Sequence, residues 1–258
     1  MNVLITGGRS NIAYNVALEL SKRHKVFLTT HTTSQCESLK EKVNNNITVF
    51  KLDITKKEDR DKINELDIDC LINHAGIGIG GSIVDMDINC LRYNFEVNVF
   101  SSFELLKLVY HKFLKEKKKG KIFVMSSLSS MMPIVMLGSY TSTKAAISML
   151  TTTLYQELKV INSDISISLI EPGAYHTGFN QVMIDNKEKY LNKDSLFYQK
   201  KELFTKYQHL IFKLLEKKKL DSIVHKIVKE VESDKPHFHI RVPISQLILI
   251  KIYLLLFR

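Results

Sequence analysis

Short apolar runs alternate with amphipathic stretches along the first half of the chain. Val3-Leu4-Ile5 is the first run, and it stops at Thr6-Gly7-Gly8-Arg9-Ser10. Beyond that turn Ile12, Val16, Leu18 and Leu20 mark an apolar helical face that predicts a helix to about Arg23. Lys25–Thr30, Ile47–Lys51 and Cys70–Asn73 read as the next three strands. Helix-like segments at about 34–43 and 56–65 separate them. This rhythm predicts an α/β fold of Rossmann-like type, a doubly wound parallel β-sheet flanked by helices. Ligands of such sheets bind beyond the carboxyl ends of the strands. Thr6-Gly7, Asp53 and Asn73-His74-Ala75-Gly76 fall there.

The strand, glycine turn and helix at the start of the chain point backbone N–H groups and a helix N-terminus at a phosphate. A second constellation lies further on. Tyr140 and Lys144 stand four apart, one helical turn from each other on a single face. Ser127, which follows an apolar run and Ser126, precedes Tyr140 by 13 residues. A phenol ordinarily loses its proton near pH ~10, and a neighbouring ammonium lowers that value. A serine hydroxyl close by can bond the oxygen on which the phenol acts. Together these groups suit moving a proton on or off an alcohol.

In these motifs the chain resembles the single-domain short-chain dehydrogenases/reductases, from Asn2 to about Thr177. Thr6 to Ala13 takes the place of the family's glycine turn, Asp53 of its adenine-contacting acid, and Asn73-His74-Ala75-Gly76 of its Asn-Asn-Ala-Gly. Asn98 matches its mid-helix catalytic Asn, and Ser127, Tyr140 and Lys144 match its Ser, Tyr and Lys. Its Pro-Gly-x-x-x-Thr falls on Pro172, Gly173 and Thr177. The resemblance implies that Thr6, Gly7, Gly8, Arg9, Asn11, Ile12, Asp53, Ile54, Asn73, Ala75, Gly76, Pro172, Gly173 and Thr177 border a nicotinamide dinucleotide, with Tyr140 and Lys144 at its reactive end.

Two departures bear on that cofactor. Asn11 and Ala13 stand where the family has its second and third glycines. Ala preserves close helix–strand packing, while Asn11 tolerates positive φ and has an amide that can donate to phosphate. At the end of the second strand, Thr30-His31-Thr32 has no carboxylate to bond both ribose hydroxyls of NAD. With Arg9 in the turn, NADP(H) is favoured over NAD(H), which stays open.

By resemblance, hydride passes between the nicotinamide and a carbonyl carbon while Tyr140 passes the proton. Lys144 is expected to hold the ribose and depress the Tyr140 pKa, Ser127 to bond the substrate oxygen, and Asn98 to hold a water leading to solvent. The function implied is an NADPH-dependent oxidoreductase that reversibly reduces a ketone or aldehyde, small or medium, free or linked to a carrier or peptide. The alternative is a non-catalytic dinucleotide-binding sensor, which the retention of Asn98, Ser127, Tyr140 and Lys144 disfavours. Isomerase or epimerase chemistry is a third reading.

The remaining features narrow the setting. A 258-residue chain with 45% hydrophobic residues can bury one full core, and no linker divides it, so 1–258 reads as one domain. Residues 176–219 are expected to form a lid, with Phe179, Met183, Tyr190, Phe197, Tyr198, Phe204, Tyr207 and Phe212 against substrate or packing lid helices together. Met1-Asn2 leads straight into a strand, so no signal peptide is expected, and three cysteines suit a reducing, cytoplasmic setting. Scattered His and Cys exclude a metal site. The net charge of +10 rests on lysine clusters without interleaved aromatics, which reads as solvated faces and not as a nucleic-acid groove. The apolar tail 244–258 is too short to span a bilayer. It is expected to pack near the cleft or across an interface of a homodimer or homotetramer, in preference to lying on a membrane surface.

Overall fold

The computed structural model describes residues 1–186 and 193–256. Tyr190, Phe257 and Arg258 lie outside the described residues. Seven strands form one parallel sheet: β1 Asn2–Ile5, β2 Lys25–Thr30, β3 Ile47–Lys51, β4 Cys70–Asn73, β5 Lys121–Met125, β6 Ser166–Pro172 and β7 His239–Val242. Their order is β3-β2-β1-β4-β5-β6-β7. The winding direction therefore reverses at β1, which pairs with β2 on one side and β4 on the other. At that reversal the loops leaving the carboxyl ends diverge and open a crevice.

Both sheet faces are buried, which is why the strands read as continuous apolar runs. Side chains alternate about the sheet, so Val3 and Ile5 enter one core while Leu4 enters the other. The first core is closed by α1 Asn11–Leu20, α2 Thr33–Lys40 and α10 Asp221–Glu232, through residues such as Val16, Leu39 and Ile227. The second is closed by α5 Ser102–Lys115 and α6 Gly138–Val160, through Leu105, Val109, Phe113, Ile147 and Leu158. A π-helical turn, Glu96–Ser101, joins α4 Ile88–Phe95 to α5.

The predicted strands β1 to β4 appear with the expected bounds or within a residue of them. The helix expected at 34–43 ends at Lys40, and that at 56–65 divides into α3 Lys57–Asp61 and a 3-10 turn, Lys62–Glu65. Asp59 lies in α3 and is buried. It accepts from the Asp53 N–H at 2.8 Å and pairs with Lys51 and Lys62 at 2.7 and 2.5 Å. Burial pushes the Asp59 carboxyl up, but its lysine and backbone hydrogen bonds hold it well below the usual range. Beyond β6 the chain forms α7 Phe179–Asn186, α8 Leu196–Gln199 and α9 Lys201–Leu215. The tail is a helix, α11 Ile244–Leu256. Among the described residues no helix is long and apolar enough to cross a membrane.

Candidate active site

A cleft of about 920 Å³ runs along the carboxyl edge of the sheet, from the β2–α2 turn across β1 and β4 to α6 and α11. Of the residues singled out in the sequence, Gly7, Arg9, Ile12, Thr30, His31, Asp53, Ile54, Ala75, Gly76, Ser127, Tyr140, Lys144, Pro172, Gly173 and Thr177 line it. Thr6, Gly8, Asn11, Thr32, Asn73 and Asn98 do not.

Each absence has a structural reason. Thr6 is fully buried, and its hydroxyl accepts from the N–H groups of His74 and Ala75 at 3.0 and 2.9 Å. Asn73 donates behind the sheet to the Ser102 carbonyl at 2.8 Å. A Cβ on Gly8 would stand 2.6 Å from Leu28, so that glycine serves helix–strand packing. Thr32 caps α2 in a reciprocal box with Gln35. Asn11 opens α1 in ordinary helical conformation. Tolerance of positive φ is therefore not needed there, because Gly7, with φ +74°, makes the turn.

Asn98 is held by a dense set of side-chain bonds. Its side chain sits in the π-helical turn, 2% exposed, and accepts from the Ile77 N–H at 2.8 Å. Its Nδ2 donates to the Ile77 carbonyl at 2.8 Å and lies 3.0 Å from Thr143 Oγ1 and 3.1 Å from Asn94 Oδ1. So engaged, the Asn98 amide holds the segment Gly76-Ile77 in place beyond β4. A Cβ on Gly76 would meet Asn98 Oδ1 at 3.0 Å, so this glycine leaves room for the Asn98 side chain.

Tyr140 and Lys144 project from the first turns of α6, both buried at the cleft floor. Ser127 caps the 3-10 turn Leu128–Met131 after β5, accepts from Ser129 N at 3.1 Å and donates to the Pro172 carbonyl at 3.3 Å. Lys144 Nζ donates to the Met125 carbonyl at 3.0 Å and lies 5.8 Å from the Tyr140 ring centre. Burial lowers the Lys144 pKa to about 8. Burial raises the Tyr140 phenol to about 12, against the pull of its hydrogen bond with Ser127. The expected lowering of Tyr140 by Lys144 is therefore absent: desolvation of the phenol outweighs an ammonium that is itself desolvated and bonded elsewhere. His74 is pushed down to about 3 by burial and by the Lys144 charge, and stays a neutral wall residue.

Several wall residues carry no sequence signal of their own. Ser10 is the N-cap of α1, where its side chain makes no capping bond; it contacts His74 Nε2 at 3.3 Å. Gln246 of α11 reaches back to accept from Ala174 N at 2.7 Å and to donate to the Leu215 carbonyl at 2.7 Å. A buried Gln in an apolar tail is the one hint that would have marked it. From Met132 to Leu137, and from Phe179, Met183, Ile211, Phe212, Leu249 and Ile250, the wall beyond Tyr140 is apolar.

These residues fit a dinucleotide. A Cβ on Gly7 would come within 2.9 Å of Ala75, so only glycine leaves this turn closed against β4 with the α1 N-terminus facing the cleft. No acidic residue occupies the first turn of α1, and Arg9 stands at its mouth.

The sequence profile of the short chain dehydrogenase family matches residues 1–188. The chain is 31% identical to a probable short-chain type dehydrogenase/reductase, VdlC, of Helicobacter pylori, over 75% of this chain and 71% of that protein. It is 28% identical to estradiol 17-beta-dehydrogenase 2 of Rattus norvegicus, over 80% of this chain and 55% of that protein. A crystal structure of a short chain dehydrogenase/reductase from Burkholderia phymatum in complex with NAD superimposes with a TM-score of 0.79 at 18% identity, over 97% of this chain and 91% of that one.

Proposed function

The chain belongs to the short-chain dehydrogenase family, NAD(P)-dependent enzymes of alcohol and carbonyl groups, and from that premise we propose that it reduces the carbonyl of an apolar ketone or aldehyde with NADPH. One observation carries the reading: a single cleft joins the Arg9 turn to Tyr140, Lys144 and Ser127 and continues into an apolar wall. When bound, the cofactor supplies the hydride. Tyr140, with a pKa of about 12, keeps its proton through neutral pH and delivers it to the carbonyl oxygen. Lys144 supplies positive charge beside the developing alkoxide, and Ser127 turns its hydroxyl toward the same oxygen. Retention of these three groups on one cleft floor disfavours a non-catalytic sensor.

The preference for NADPH rests on the end of β2. Thr30 and His31 face the cleft, and the nearest carboxylate, Asp53, lies 3.2 Å from His31 Nε2. The Asp53 carboxyl also accepts from Thr55 Oγ1 at 2.7 Å, and Arg9 makes no ion pair among the described residues. The apolar wall supports a largely hydrocarbon substrate, in keeping with a relative named for estradiol. The test is nicotinamide fluorescence on purified protein. NADPH is expected to bind at least about tenfold more tightly than NADH, a difference of roughly 1.4 kcal/mol. Thr30→Asp should reverse the order. Equal affinities in the native protein would overturn the preference, and binding of neither would overturn the reading as a whole.

A further inference from the structure

Helices α9 and α11 carry exposed apolar residues besides those that line the cleft. On α9, the residues nearest the core include Gln208, Ile211 and Leu215, and the last two line the cleft. Beside that side, about a quarter-turn around the helix, Leu203, Tyr207, Leu210 and Leu214 stand four, three and four apart and so form one stripe. All four are exposed, Leu210 at 57% and Leu214 at 75%. On α11, Gln246, Leu249, Ile250 and Tyr253 face the cleft. Ile244, Ile248, Ile252 and Leu255 lie on the far side, Ile244 exposed at 66% and Leu255 at 83%. A helix covering a cleft in water is expected to turn polar residues outward. Lys251 and Ser245 are the polar residues of α11 besides Gln246 and Tyr253.

The two stripes border one entrance. Gln246 ties the start of α11 to the end of α9 through the Leu215 carbonyl. Tyr207 and Leu249 belong both to the cleft wall and to the exposed surface, so apolar surface is continuous from outside to inside. An exposed apolar area of this kind marks an interaction site.

The charge around it indicates what it meets. In the lysine-rich segment 112–121, Lys112 pairs with Glu116, Lys118 with Asp67, and Lys121 donates to the carbonyls of Val231 and Ser233, while Lys115 and Lys117 stay exposed. Around the α9/α11 face, Lys206, Lys213, Lys217, Lys218, Lys219 and Lys251 are all exposed and make no ion pair among the described residues. On the helical wheel Lys206 and Lys213 flank the α9 stripe on the edge away from the cleft, and Lys217 to Lys219 follow its end. Apolar side chains rimmed by unpaired lysines complement a surface of anionic headgroups over acyl chains.

We propose that the α9/α11 face docks on an anionic lipid surface, with the cleft mouth toward the acyl boundary. At 13 residues α11 is about 20 Å long and lies on the bilayer without crossing it. The apolar substrate inferred above then enters from the lipid, a step that rests on the proposed function, whereas the docking itself does not.

The experiment is flotation of the full chain with vesicles of phosphatidylcholine alone or with phosphatidylglycerol at roughly one third, at low and high salt. Binding to the anionic vesicles is expected to be at least about tenfold stronger and to fall with salt. Leu210→Asp with Leu255→Asp, and separately Lys217→Gln with Lys218→Gln and Lys219→Gln, should each lower it about fivefold or more. None of these residues lines the cleft, so NADPH binding, read in parallel by fluorescence, should stay unchanged. A native protein that binds NADPH but floats with neither vesicle overturns the docking and leaves the proposed function standing. So does a dimer that Leu210→Asp and Leu255→Asp convert to monomer without any lipid binding, because the occupant is then a second copy of the chain.

Discussion

Tyr140 and Lys144 stand one turn apart on α6, and burial moves them toward opposite neutral forms, the phenol to about 12 and the ammonium to about 8. The pH dependence of reduction follows from the sign of each shift. The donor form of Tyr140 persists to about pH 12, so loss of its proton does not limit reduction at neutral pH. Lys144 loses its charge near pH 8, and with it the positive potential beside the reacting oxygen. The kcat/KM for carbonyl reduction, which reports the free enzyme, should be level below about pH 8 and fall above it. Tyr140→Phe should lower kcat by about 10² to 10⁴, the usual range for a proton-transfer group. Its NADPH affinity should change little, since the ring remains. Stopped-flow turnover with fluorescence binding separates the two effects, and retained turnover would refute the proton-transfer role.

At the scale of elements, legibility followed covalent neighbourhood. The Ser127, Tyr140 and Lys144 set could be read because two members share one helix, and β1 to β4 because both sheet faces are buried and leave continuous apolar runs. What could not be read depends on partners far along the chain. The bonds of Asn98 to Ile77 and Thr143 have no local sequence signal, and nothing local announces the π-helical turn that aims it. Gln246 is the clearest case, because its partners Ala174 and Leu215 are 72 and 31 residues away. It pins the loop after β6 to α9 and α11, and its amide fills the space beside Gly173, where a Cβ would meet Oε1 at 2.1 Å. Gln246→Ala leaves the Ala174 N–H and the Leu215 carbonyl unsatisfied, a cost of about 1–3 kcal/mol. Thermal unfolding should register that loss, and KM for cofactor and substrate should rise more than kcat falls. Gln246→Glu keeps the acceptor for Ala174 and loses the donor to Leu215, so it should fall between. Unchanged KM in both variants would show that the loop holds its place without α11.

For the whole molecule the strongest electrostatic consequence comes from carboxylates enclosed by a chain with net charge +10. Glu230 on α10 is 2% exposed, pairs with Lys226 at 2.8 Å, and accepts from the His237 N–H at 2.8 Å. It thereby ties α10 to the segment leading into β7. Burial pushes its carboxyl up, but the bonds from Lys226 and His237 prevail and hold it down at about 2, against an ordinary 4.5. A carboxylate lowered in the folded state contributes stability that is fully present above its unfolded pKa. That contribution is lost as pH falls toward the folded value. Removing Glu230 should therefore matter most at neutral pH and progressively less between about pH 4.5 and 2. Acid also raises the net positive charge and its self-repulsion, which destabilises native and variant chains alike. The difference between the two proteins isolates Glu230 from that background. Denaturant unfolding of native protein and Glu230→Gln at neutral pH, 4.5, 3 and 2.5 should show the variant less stable at neutral pH, with the gap narrowing through the acid range. A gap that stays constant with pH would mean that the amide fails through packing and not through charge.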